Sequence, residues 1–91
     1  MNKQRRAKIE AELLAARTAI ESLRFALENL QDLANEEQEC FDNMPEGLQA
    51  SENGQRIETI AQELDSACST LDSAVDEVGS ALDDIESAVD Q

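Results

Sequence analysis

The chain has 91 residues, of which 21 are Asp or Glu and only seven are Lys or Arg, so its net charge at neutral pH is −14. A chain of this length builds one small domain, and a surface this acidic repels nucleic acids and anionic membranes and favours basic partners. Histidine is absent from the sequence. Without this usual general base, and without any nucleophile–base pair, we expect no catalytic site, no metal site and no cofactor.

The first predicted element is a long helix over about residues 3–42. Apolar residues recur at spacings of three and four from Ile9 to Phe41, which is typical of a helix that buries one face, and Glu37 is the one charged residue in that stripe. Six of the seven basic residues lie within the first 24 positions, whereas the rest of the chain carries 18 acids and a single base, Arg56.

A predicted turn follows over about residues 43–54, because Pro45 disfavours helical backbone at Met44. One short helical turn over residues 45–49 would direct Met44 and Leu48 into the end of the hairpin. Ser51 is a candidate N-cap for the next helix. Gly54 would weaken a helix that began there, so a start near Gln55 stays open, and we assign the second helix to about residues 55–90.

Five consecutive heptads make up the second helix: IETIAQE, LDSACST, LDSAVDE, VGSALDD and IESAVDQ. The first heptad position is always branched and apolar. The fourth is Ile60 and then alanine, and the fifth is apolar or cysteine throughout. A seven-residue period with three apolar positions predicts a long helix that lays a broad stripe against other helices.

Two long helices joined by a short connection predict an all-α fold, an antiparallel two-helix coiled-coil hairpin that forms a single domain. Alanine at the fourth heptad position allows one close helix contact, and the fifth position then points to a second side. We therefore predict an oligomer interface at Val75, Leu82 and Val89. Because two helices rarely bury enough surface alone, we expect a homodimer that forms a four-helix bundle, or a higher oligomer.

The hairpin also predicts how charges and cysteines are placed. The basic residues at positions 3–8 should lie beside the acidic C-terminus, and Cys40 and Cys68 should be about 18 Å apart along the axis, too far for a disulfide. Free thiols suit a reducing compartment. No apolar stretch reaches ~18 residues and no signal-peptide pattern is present, so we expect a cytoplasmic protein without a membrane partner.

Two features could carry recognition of another protein. The irregular turn offers shape that a uniform rod lacks, and the preceding helix end holds a dense group of acids. The candidate residues are Glu36, Glu39, Phe41, Asp42, Asn43, Met44, Pro45, Glu46, Leu48 and Arg56. The alternatives are that Phe41, Met44 and Leu48 only cap the core and that the acids are a solvated helix end. Arg56 either bridges back to those acids or contacts a ligand.

Outward acids of the second helix form rows along a rod of ~50 Å. Duplex DNA carries one negative charge per ~1.7 Å of its axis, so a long acidic helix is a crude mimic of DNA charge. Many acidic coiled coils have no such role, and solubility alone also accounts for the acids.

The stretch EEQECFDNMPEGLQASENGQ, residues 36–55, resembles a linker motif of a family of small helical proteins encoded by bacteriophages and prophages, and the opening MNKQRRAKIE is also similar. The resemblance implies a phage accessory protein located in the bacterial host cell. Small acidic phage proteins often block a host protein, as anti-CRISPR and other anti-defence factors do, and this step is by analogy.

We therefore expect a non-enzymatic protein that binds and inhibits a host protein with a basic surface and does not bind nucleic acid directly. The first alternative is a structural or scaffolding coiled-coil oligomer. The second is a small-ligand sponge, in which the helices of an oligomer form a pocket around Arg56.

Overall fold

The computed structural model describes residues 2–91 and shows a hairpin of two long antiparallel helices, with overall dimensions of 69 × 15 × 14 Å. Helix α1 covers Lys3–Asp42, the short helix α2 covers Glu46–Gln49, and helix α3 covers Glu52–Val89. No strand is present in this part of the chain. The predicted all-helical hairpin is therefore confirmed.

Helix α3 begins three residues before Gln55 because Ser51 caps it. The Ser51 hydroxyl accepts a hydrogen bond from the backbone N–H of Gly54 at 3.1 Å, which satisfies one of the free donors at the start of a helix. At the other end of the molecule, the side chain of Asn2 caps α1 by accepting from the N–H of Arg5 at 2.7 Å.

The contact between α1 and α3 is a single narrow seam. Near its middle, Leu27 and Val75 are only 6% and 3% exposed. The other buried apolar side chains are Leu13, Ala34 and Phe41 on α1 and Ala61, Cys68 and Val89 on α3. On α3 all of these occupy the fifth heptad position, so that position faces α1. The seam uses one edge of each helix and leaves the rest of both helices exposed.

Polar contacts along one side of the seam fix the register, and we call this side the polar flank. Arg17 binds Asp83 at 2.9 Å, and Arg24 binds Asp76 at 3.0 Å. A step of seven residues forward along α1 is thus matched by seven residues backward along α3. Farther along the same flank, the Gln31 amide donates to an Asp65 carboxylate oxygen at 2.9 Å.

In this register the first turns of α1 extend past the last turn of α3. Leu13 and Val89 line the same recess, so α3 ends at about the level of Leu13. The basic residues at positions 3–8 extend beyond that level, and within residues 2–91 none of them forms an ion pair. The prediction that they pair with the acidic C-terminus is therefore wrong. Asp83 and Glu86 form ion pairs with Arg17 instead.

Both cysteines are free thiols, as predicted, with Cys40 exposed and Cys68 buried in the seam. Within residues 2–91, none of the helices has the length and apolar composition needed to cross a bilayer.

Candidate functional site

The hairpin tip, defined as residues 43–51, is held together by its own hydrogen bonds. The Gln49 side-chain amide donates to the backbone carbonyl of Phe41 at 2.9 Å, and the Gln55 amide donates to the carbonyl of Gln49 at 2.8 Å. These bonds satisfy carbonyl groups that helix ends leave without intrahelical partners. They also tie the end of α1, the short α2 and the start of α3 into one unit.

Gly54 allows α3 to pack against this tip. It is buried, and a β-carbon there would overlap the carbonyl oxygen of Leu48 and lie 2.7 Å from that of Gln49. Only glycine fits such a close approach of two backbones. Several residues of the stretch that resembles the phage linker motif, namely Gln49, Ser51, Gly54 and Gln55, therefore have a structural role in the turn.

The predicted recognition residues of the tip differ in accessibility. Phe41 is 9% exposed and belongs to the seam, and Met44 is half-buried. Leu48 is 56% exposed, and its neighbours Asn43, Pro45 and Glu46 are also exposed. The tip thus presents one apolar side chain beside a carboxylate, whereas Phe41 faces the hairpin interior.

The acidic residues at the end of α1 have no basic residue beside them in the last turn of the helix. Glu36, Glu39 and Asp42 are exposed, and the last turn of α1 contains no basic residue. Arg56 is also exposed, and within the described chain it lies in no ion pair. The expected bridge from Arg56 to these acids is therefore absent. Because the carboxylates lie at the negative end of the helix dipole, this end of the hairpin is an electrostatically unfavourable concentration of charge.

One broad surface of the hairpin is apolar and uncovered, and we call it the open face. It lies on the side of the seam away from the polar flank. On α3 it consists of the first and fourth heptad positions. On α1 it consists of two rows with the same seven-residue spacing, which we number in the same way, so that the first position includes Ile9 and the fourth includes Ala19. Its members on α1 are Ile9, Ala16, Ala19, Leu23, Ala26, Leu30 and Leu33, and on α3 they are Ile60, Leu64, Ala67, Leu71, Ala74, Val78, Ala81, Ile85 and Ala88. Ala16 and Ile85 line one recess, which shows that the two helices contribute to the same surface.

The predicted oligomer interface at Val75, Leu82 and Val89 does not coincide with the apolar surface that the hairpin leaves exposed. Val75 and Val89 are 3% and 4% exposed within a single chain, and Leu82 is half-buried beside them. In contrast, Val78 is 49% and Ile85 is 44% exposed. The fifth heptad position therefore packs inside the hairpin, and the uncovered apolar surface comes from the first and fourth positions.

The polar flank contains the only ion pairs formed within residues 2–91. Arg17 contacts Asp83 and Glu86, and Arg24 contacts Asp76. The hydrogen bond that Arg17 donates to Asp83 is the main cause that raises the pKa of Arg17, and the charge of Glu86 adds to it. Three of the 21 acids are thus paired, and the others form no ion pair with any residue from 2 to 91.

The structure also shows how possible metal ligands and recesses are distributed over the described residues. Within residues 2–91, no group of three or more Cys, Asp and Glu side chains is arranged to hold a metal ion. The most apolar recess, of about 460 Å³, is an open groove at the free end of the hairpin, where Arg5 and Lys8 flank Ile9 and Ile85. Arg56 does not line it. Neither feature brings a nucleophile together with a base.

Comparisons of the chain with protein-family models, with curated proteins and with solved structures found no match.

Two features were missed by reasoning from the sequence alone. The open face was assigned to the wrong heptad position, although the signal was present in the larger side chains at the first position, Leu64, Leu71, Val78 and Ile85. Phe25 is 67% exposed and lies two residues before the seam residue Leu27, which places it on the opposite side of α1. The periodic stripe gave no reason to single out Phe25, because it lies outside that stripe.

Proposed function

We propose that this chain is a non-enzymatic, phage-type accessory protein whose dimer binds and inhibits a basic host protein by presenting a DNA-like acidic surface. The observation that carries this proposal is the excess of acids without a basic partner. Within residues 2–91 only Asp76, Asp83 and Glu86 are ion-paired, although the molecule carries 21 acids and a net charge of −14. Self-repulsion of this size destabilises a compact chain and is offset when a basic surface binds.

The dimer follows from the surface that the hairpin leaves exposed. Its accessible area is 6731 Å², whereas a compact monomer of 10.0 kDa exposes about 5,200 Å². The open face contributes to this excess of accessible area, because it is a continuous apolar surface along the rod. Covering it with a second hairpin would produce a four-helix bundle.

Dimerisation would leave mainly charged and polar residues at the surface. Along α3 the exposed acids that have no ion pair in the chain include Asp72, Glu77 and Asp84. Rows of carboxylates on a rod 69 Å long resemble the charge of a duplex more than they resemble an enzyme site. A basic channel that normally receives nucleic acid is therefore the partner surface that this protein fits best.

The test is capture from bacterial lysate followed by competition. A tagged protein is compared with D72N/E77Q/D84N, and the matched control E10Q/E21Q/E28Q removes the same charge from α1. We expect the wild type and the control to retain one basic nucleic-acid-binding protein and to displace duplex DNA from it. The α3 variant should lose both properties, and salt should weaken the complex.

Equal retention by all three proteins, or a captured protein whose DNA binding is unaffected, would overturn the proposal. Recovery of the protein alone as end-to-end assemblies at micromolar concentration would favour the scaffolding alternative, which the continuous open face also supports. A small-ligand sponge around Arg56 has less support, because Arg56 is exposed and lines none of the recesses described above.

A further inference from the structure

The two ends of the open face differ in charge. At the free end of the hairpin, two bases, Arg5 and Lys8, and one acid, Glu12, border the apolar groove that contains Ile9 and Ala16. At the tip end, the half-buried Glu37 occupies a heptad position that is otherwise apolar. Arg5, Lys8 and Glu37 lie in no ion pair within residues 2–91.

We infer that a second copy of this chain covers the open face in the antiparallel orientation, so that the free end of each copy packs against the tip end of the other. This rests on the dimer of the proposed function and adds its orientation and its charge contacts. Arg5 and Lys8 of one copy would lie against the glutamates Glu36 and Glu37 of the other.

Helix length places these groups at the same level. Helix α1 has 40 residues, with its middle at residues 22–23. When two such helices lie antiparallel about that point, Lys8 of one copy is level with Glu37 of the other, and Arg5 is level with Cys40. The basic first turns of α1 in one copy, which extend past α3, would then contact the acidic last turns of α1 in the other copy.

Charge decides between the two possible orientations. A parallel dimer would place both acidic ends together, with Glu37 of both copies at the same end of an apolar interface, and both basic ends together at the other. Like charges in an interface cost free energy, and the cost increases as water is excluded. The antiparallel dimer replaces both repulsions with attractions.

The area of the face is sufficient for a stable dimer. A surface 69 Å long and 15 Å wide offers on the order of 1,000 Å² per copy. Stable protein–protein interfaces bury about 800 Å² per partner.

The orientation can be measured with the native Cys40. A spin label is attached to Cys40 in a Cys68→Ala background, and the distance between the two labels of the dimer is measured by pulsed electron paramagnetic resonance. An antiparallel dimer should give about 50 Å, because the two labels lie 35 residues apart along the axis. A distance below about 20 Å would show a parallel dimer and overturn the inference.

Charge reversal gives an independent measurement. We expect R5E/K8E to weaken dimerisation about tenfold at low salt, and addition of E36K/E37K in the same chain to restore it. Failure of this rescue in a protein that still dimerises would overturn the orientation but not the dimer. A wild-type protein that sediments as a monomer at 100 µM (about a hundredfold above a Kd of 1 µM) would overturn the dimer itself.

Discussion

The backbone at Gly54 lies so close to the carbonyl oxygen of Leu48 that a β-carbon on residue 54 would overlap it. Both contacting groups are backbone, so neither can move aside without a shift of α2 or of the start of α3. The second glycine of α3 is different: at Gly79 the nearest atom to an added β-carbon is the Arg24 Nη2, at an ordinary distance of 3.6 Å.

These two glycines give a matched pair of stability predictions. Gly54→Ala should destabilise the hairpin by about 1–3 kcal/mol, because overpacking outweighs the better helix propensity of alanine. Gly79→Ala should stabilise it by up to about 1 kcal/mol, since only the propensity changes. Urea unfolding followed by circular dichroism at one protein concentration measures both. A Gly54→Ala protein as stable as Gly79→Ala would show that the tip is not packed as described.

The seam predicts which leucines of α1 hold the hairpin together. Leu27→Ala should cost about 2–4 kcal/mol, because it leaves a cavity in the apolar contact between α1 and α3. Leu14→Ala removes the same atoms from a side chain that is 69% exposed and should change the free energy of unfolding by less than about 0.5 kcal/mol. The comparison is made by thermal and urea unfolding. Similar losses for both variants would contradict the seam.

The tip network predicts a smaller effect at Gln49. Its amide donates to the carbonyl of Phe41 at 2.9 Å, so Gln49→Ala should cost about 1 kcal/mol. Gln62→Ala is the control, since Gln62 is exposed on the same molecule and forms no side-chain hydrogen bond within residues 2–91. Amide hydrogen exchange should also show faster opening at Met44 in the Gln49 variant, because this N–H bonds the Phe41 carbonyl.

The sequence was sufficient for the elements of the fold. Heptads predicted α3, and Pro45 marked the end of α1. The seam could not be assigned in the same way, because three apolar positions per heptad make a stripe too broad for one neighbour. Val75 inside the hairpin and Val78 outside it are both apolar, and only the geometry of the turn decides which of them faces α1.

The heptad pattern was also insufficient to predict which acids of α3 lie beside which bases of α1. The turn is shorter than predicted, since α3 begins at Glu52, and this sets which acids lie beside which bases. Arg17 therefore meets Asp83, while the bases at positions 3–8 lie past the end of α3. Arg56 was a candidate for pairing because it is alone among acids, but its exposed position brings none of their carboxylates within contact distance.

The open face predicts a concentration-dependent assembly. L71E/V78E should sediment as a monomer under conditions in which the wild type is a dimer, because two charges would have to be buried in the interface. S73E/S80E adds the same charge to exposed positions of α3 outside the open face and should remain dimeric. Sedimentation equilibrium measures both. Equal weakening of the two variants would indicate that net charge, and not the open face, controls assembly.

The polar flank predicts an effect that depends on salt but not on pH near neutrality. Hydrogen bonding to Asp83 raises the folded-state pKa of Arg17 above its unfolded value. Its contribution to stability is therefore fully present below the unfolded pKa and is lost only as pH rises through the folded one, far into the alkaline range. Arg17→Gln should lower the unfolding midpoint equally at pH 6 and at pH 9, and salt should reduce the difference from wild type. Arg56→Gln removes the same charge without an ion pair and should lower the midpoint less. If Arg56→Gln had the larger effect, general repulsion among the acids would outweigh the contacts of the polar flank.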